Sequence, residues 1–150
     1  MKYEVIIIEK KEYELLKRIV SMAQYYKDST YRASIEKLRN ELDLAKIVSE
    51  KNMPGDVVRF NSKVEIATPF NVNRTYQIVT PDLSNIKENK ISILAPMALA
   101  LFGYAQGDKI EWEFPTGKNS IDIINVEQSS GKLMNEKIAD YDGKVSGASR

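Results

Sequence analysis

The chain holds no Cys and no His among its 150 residues. That removes thiol nucleophiles, disulfides, Cys/His zinc sites and histidine acid–base chemistry together. Carboxylates, hydroxyls, lysines and tyrosines remain, and no Gly-rich phosphate loop or nucleophile elbow gathers them. The residue types therefore lean toward binding rather than enzyme chemistry, with no cofactor called for. Four polar residues, Lys27-Asp28-Ser29-Thr30, break the first helical pattern, with Tyr25, Tyr26 and Tyr31 beside them. Asp28, Ser29 and Thr30 are all helix-capping types. Asp28 is the single acid between Tyr26 and Arg32, and Lys27 and Arg32 flank it with opposite charge. Glu36 lies roughly 7 Å further along a following helix, too far to share an ion with Asp28.

The elements that would hold this turn can be read from hydrophobic spacing. Before it, Tyr13, Leu16, Val20 and Ala23, with Leu15, Ile19, Met22 and Tyr26, recur at intervals of three and four. After it, Ile35, Leu38, Leu42 and Ala45 do the same, flanked by Leu44 and Val48. Two such stripes predict two helices of similar length joined by a polar turn, an antiparallel hairpin. About 18 residues per helix gives an arm of roughly 27 Å. A short apolar strand, Val5–Ile8, precedes it.

Pro54 and Gly55 end the helical pattern and the period changes to two. Strands are expected at Val57–Phe60, Val64–Thr68, Thr75–Thr80, Lys109–Phe114 and Ile121–Val126, with a strand end at Ile91–Leu94. Pro96 opens one short helix through Phe102, which Gly103 closes. The fold class is α+β: an N-terminal helical hairpin, a short coiled coil, over residues 1–53, and an antiparallel sheet of about five strands with one short helix over 54–127. Residues 128–150 have little periodicity and are expected to form a mobile tail.

Charge is balanced, with 22 basic and 21 acidic residues and a net charge of +1. No block is polybasic, so no phosphate-tracking footprint and no sequence-specific DNA binding are expected. Val5–Ile8 is too short for a signal-peptide core, and Ile93–Ala105 is broken by Pro96 and Gly103. A soluble, cytoplasmic monomer without membrane contact is the expectation.

The stretch ISILAPMALALFGYAQGDKIEWEFPTG resembles the C-terminal signature of the GreA/GreB transcription factors. The matching positions are Ala95-Pro96, Ala100-Leu101, Gly103, Gly107-Asp108 and Pro115-Thr116-Gly117. MPGDVVRFNSKVEI is similar to the first hairpin of that domain. Ile6-Ile7-Ile8 and Asn40-Glu41-Leu42-Asp43 resemble the Rnk branch, the regulators of nucleoside diphosphate kinase. Together these likenesses cover roughly residues 5 to 127.

The resemblance implies an FKBP-like sheet domain that docks on RNA polymerase, with the arm pointing into the secondary channel from its rim. Ala95, Pro96, Met97, Leu101 and Phe102 are the docking candidates it suggests. The family's cleavage factors present two carboxylates at the hairpin tip to help hold a polymerase magnesium ion. The tip here, Asp28, Ser29, Thr30 and Tyr31, offers Asp28 alone as a weak magnesium ligand within such a complex, and no metal site intrinsic to the chain is expected. The arm is also shorter than in those factors. Binding without strong stimulation of transcript cleavage is expected, with cleavage through Asp28 as the rival. A second rival is a prolyl isomerase with a pocket around Trp112, although alternation with Glu111 and Glu113 favours a place for Trp112 on the sheet.

Overall fold

The computed structural model describes residues 1–23, 29–70, 72–114 and 117–129. Strand β1 (Ile7–Glu9) runs directly into helix α1 (Lys10–Ala23). Helix α2 (Ser29–Leu44) follows and returns the chain to strand β2 (Lys46–Val48), which pairs with β1 in parallel. The Lys46 amide donates to the Ile6 carbonyl at 2.9 Å, so the end of α2 comes back to where α1 began. Over the described residues, α1 and α2 span about 21 and 24 Å. At the base, Val48, expected to flank a helix, is in β2.

The main sheet has five strands in the order β5-β4-β3-β7-β6. They are β3 (Lys63–Ala67), β4 (Asn73–Val79), β5 (Lys90–Ser92), β6 (Lys109–Phe114) and β7 (Gly117–Glu127). Three pairings are antiparallel, but β4 pairs with β5 in parallel, so the sheet is mixed. Val57–Phe60 is not one of its strands. Val57 makes an isolated bridge to Ala105, while Val58 exchanges backbone hydrogen bonds with Tyr104 and Gly103. That apolar run is read by the loop behind helix α3 (Pro96–Leu101) and not by a strand edge. Register slips between Glu65 and Ile66, where β7 carries one extra residue and leaves Ile124 exposed.

Alternation in β3 places Val64 and Ile66 in the core and Glu65 and Ala67 at half-burial. One apolar cluster unites the sheet with both long helices. It holds Leu15, Leu16, Ile19 and Val20 of α1, Ile35, Leu38 and Leu42 of α2, and Val64, Ile66, Ile78, Ile110, Ile121 and Ile123 of the sheet. Phe60 meets Phe102 edge to face at 5.0 Å between ring centres. The helical segment is thus packed onto the sheet by its apolar face.

Gly103 is required by two constraints at once. Its φ is +86°, and a Cβ there would lie 2.8 Å from the Cβ of Ile6. Only glycine allows the backbone after α3 to turn left-handed and touch the residue before β1.

Candidate functional site

Helix α3 begins as expected, with Pro96 at its first position, where the missing N–H costs nothing, and Ala95 extended before it. The Phe102 amide closes on the Ala98 carbonyl. Of the docking candidates, Ala95, Pro96 and Met97 are half-buried, with part of each surface open. Leu101 and Phe102 are 0% and 1% exposed. Their side chains lie in the main apolar core, with Phe102 against Phe60.

The tip candidates divide differently. Asp28 lies outside the described residues. Ser29, Thr30 and Tyr31 open α2 in backbone, and their side chains lie outside the description too. The tail from residue 130 also falls outside it.

What the structure does bring together is a polar junction at the base of the helices. Glu9, the last residue of β1, accepts a hydrogen bond from the Glu12 amide at 3.0 Å and so caps α1. Glu12 is 0% exposed and Arg59 5% exposed. Arg59 Nε and Nη2 both donate to Glu12 Oε2, at 2.9 and 2.5 Å. Its Nη1 and Nη2 also donate to the two oxygens of Glu50, at 2.9 and 2.6 Å. The Phe60 amide donates to Glu12 Oε1 at 3.4 Å. One guanidinium therefore joins α1, the turn after β2 and the chain leading into β3. A planar five-donor group suits this double fork better than an ammonium.

Oxygens of Glu9, Glu12 and Glu50 lie within 4.8 Å of one another, a spacing that could receive a hard cation. Arg59 already occupies that role for Glu12 and Glu50. Burial pushes the Glu12 carboxyl up to about 7, with Arg59 pulling against it and the neighbouring Glu9 adding to the rise. Burial also works against the Arg59 cation, but Glu50 and Glu12 prevail and hold its pKa above the ordinary arginine value.

A second junction ties α2 to the chain after α3. The Tyr104 hydroxyl donates to Glu41 Oε2. Lys37 Nζ donates to the same carboxylate at 3.1 Å and to the Tyr104 oxygen at 3.4 Å. Burial and the adjacent Glu41 push the Tyr104 hydroxyl well above the usual tyrosine range. Glu41 Oε1 is buried with no hydrogen-bond partner among the described residues.

Neither junction was singled out from sequence, although a signal existed. Glu12 sits on the apolar stripe of α1, three and four residues before Leu15 and Leu16, and Arg59 interrupts the run Val57-Val58-Arg59-Phe60. An acid and a base each facing inward from separate elements is the mark of a buried pair. Trp112 is half-buried and packs against the main core. An open hollow of about 400 Å³ on the β6–β7 hairpin is lined by Lys109, Ile110, Glu111, Lys118, Asn119 and Ser120, and Trp112 does not line it. Among the described residues, no helix is long and apolar enough to cross a membrane.

Comparison with known proteins identifies the chain's relatives. Residues 53–128 match the family described as transcription elongation factor GreA/GreB, C-terminal. The chain is 34% identical over 101 residues to a transcription elongation factor GreA of Hyphomonas neptunium, covering 67% of this chain and 64% of that protein. It is 32% identical over 108 residues to the GreA of Syntrophus aciditrophicus, covering 71% and 67%. The chain thus spans about two thirds of the length of these curated relatives. Among solved structures, a GreA/GreB elongation factor from Nitrosomonas europaea superposes with a TM-score of 0.65 at 30% identity, over 82% of this chain and 98% of that one. The matched segment holds the whole five-stranded sheet, α3 and Arg59. The chain belongs to the GreA/GreB family of transcription elongation factors.

Proposed function

We propose that the chain is an RNA polymerase-binding transcription factor acting in the bacterial cytoplasm as a monomer. Residues 54–127, read as an FKBP-like domain, dock on the rim of the polymerase secondary channel. Residues 1–53 form the effector arm, a short coiled hairpin that occupies the channel and competes with other factors for it. The observation that carries this reading is the family match over residues 53–128, joined to two helices that leave and re-enter the domain at its base. On α3, the half-buried Ala95, Pro96 and Met97 are the part of the expected docking surface with exposure left to offer.

The arm acts by occupancy, without strong stimulation of transcript cleavage. Asp28 is the single carboxylate in its turn and has basic neighbours on both sides, where a weakly held second metal in phosphoryl chemistry calls for concentrated anionic oxygen. Two experiments test this. Purified core polymerase should retain the protein at micromolar concentration; failure to do so removes the docking reading. A backtracked complex should show no robust transcript shortening on addition of the protein. Shortening that disappears with Asp28→Ala would replace occupancy with cleavage through the tip. The prolyl isomerase alternative predicts catalysis of peptide isomerisation, and Trp112, packed against the core, gives it no support.

A further inference from the structure

The arm and the sheet are joined in two ways that differ in kind. The apolar contacts of Leu15, Leu16, Ile19, Ile35, Leu38 and Leu42 hold the helices down, but the hydrophobic driving force itself is non-directional. The polar junctions are directional. Arg59 grips Glu12 in the first turn of α1, and Tyr104 grips Glu41 in the last turn of α2. Both attachments lie at the base, one on each helix, and both come from the same neighbourhood. The Val58 amide, one residue from Arg59, donates to the Tyr104 carbonyl at 2.8 Å. Two directional attachments, on different helices, constrain the exit direction more than either one would alone.

We propose that Arg59 and Tyr104 are positioning residues, which set the angle at which α1 and α2 leave the sheet. The functional consequence rests on the polymerase-docking reading above: a docked sheet delivers the far end of the arm to one place. The lever is long enough for this to matter. A tilt of roughly 10° at the base moves the end of a 24 Å helix by about 4 Å, more than a hydrogen-bond length. The buried ion pair fits such a role, because replacing such a pair by well-packed apolar residues often costs no stability, which leaves geometry as what it supplies here.

The free protein tests the geometry without polymerase. Since the chain has no Cys, spin labels can be placed at Arg18→Cys on the exposed face of α1 and Lys63→Cys on β3, both exposed. Pulsed dipolar spectroscopy on this background should give one narrow distance distribution. Tyr104→Phe removes a single hydroxyl from the second junction. Arg59→Met combined with Glu12→Gln removes the first without leaving the charge of either partner buried alone. Each should at least double the width of the distribution while far-UV circular dichroism stays unchanged. An unchanged width in both variants overturns the proposal. If the double variant does not fold, Tyr104→Phe decides alone: broadening supports the proposal and an unchanged width defeats it. A parallel measurement separates this result from the docking reading. The variants should bind core polymerase within twofold of the parent but compete several-fold less well with another channel-binding factor. Parent protein that fails to bind would strike at the docking reading and leave the distance result standing.

Discussion

Replacing Gly103 by Ala tests how tightly the N-terminal segment is fitted to the chain after α3. Two costs add at this position. The backbone has φ +86°, a left-handed conformation that costs an L-residue about 1–2 kcal/mol. The new methyl would also sit 2.8 Å from Ile6 Cβ, with Ile6 Cδ1 and Cγ2 at 3.2 and 3.3 Å. Ile6 is 2% exposed and cannot retreat into solvent, so an overpacking penalty of about 1–3 kcal/mol follows. The total is about 2–5 kcal/mol, a drop in Tm of roughly 6–15 °C for a chain of this size. Gly107 is the internal control. Its φ is +94°, and a Cβ there would meet nothing within 4 Å, so Gly107→Ala should cost the backbone penalty alone. Urea denaturation of both variants against the parent, at unchanged m-value, measures the difference. Equal losses in the two variants would refute the claim that close approach to Ile6, and not backbone conformation alone, demands glycine at 103.

Other outcomes follow from the junctions and the shared core. Glu12 is held at about 7 in the folded chain against an ordinary 4.5, so the native state keeps its proton more tightly than the unfolded one. Its contribution is fully present below about 4.5 and is lost as pH rises through about 7, so stability falls across that window. Denaturation across that window should show the fall in the parent and a flatter profile in Glu12→Gln; identical slopes would remove Glu12 as the source. Leu38→Ala on α2, at 1% exposure, should cost about 2–5 kcal/mol and shift one cooperative transition followed both by helix signal and by Trp112 fluorescence. Separate transitions would mean that the helices and sheet do not share a core. Met97→Asp, on the half-buried start of α3, should weaken retention by core polymerase tenfold or more; unaltered retention would move the docking surface elsewhere.

Much of this architecture was legible from spacing. The intervals of three and four around Leu16 and Leu38 located both long helices, and alternation located β3, β4, β6 and β7. The Pro96 and Gly103 pair bracketed α3 because each residue has a specific backbone consequence. The misread elements were those whose partners are distant. Val57–Phe60 has the composition of a strand, but its hydrogen bonds go to residues 103 and 104, which local pattern does not reveal. Val48 fits a helical stripe and a strand equally well until β1 supplies its partner. The parallel pairing of β5 with β4 depends on the turns between them and not on composition. The docking candidates narrowed for a related reason: an apolar helix face looks the same from sequence whether it meets a partner or the core, and Leu101 and Phe102 meet the core. Arg59 and Glu12 lie 47 positions apart, so their pairing emerges only after the fold brings them together.

The contact between Gly103 and Ile6 also bears on how the chain can be cut and rejoined. The N-terminal segment is made first, yet Gly103, against which Ile6 packs, arrives 97 positions later. Contacts at such separation are formed late and slow the search for the native state. Residues 1–53 are therefore not an interchangeable cartridge. A graft that moves α1 and α2 onto a related sheet must bring partners for Ile6 and Glu12 with it, or the transplanted helices will arrive with an uncovered apolar face and a buried acid lacking its base. Recombination within such a family should succeed where break-points keep residue 6 with residue 103 and residue 12 with residue 59, and fail where they separate them.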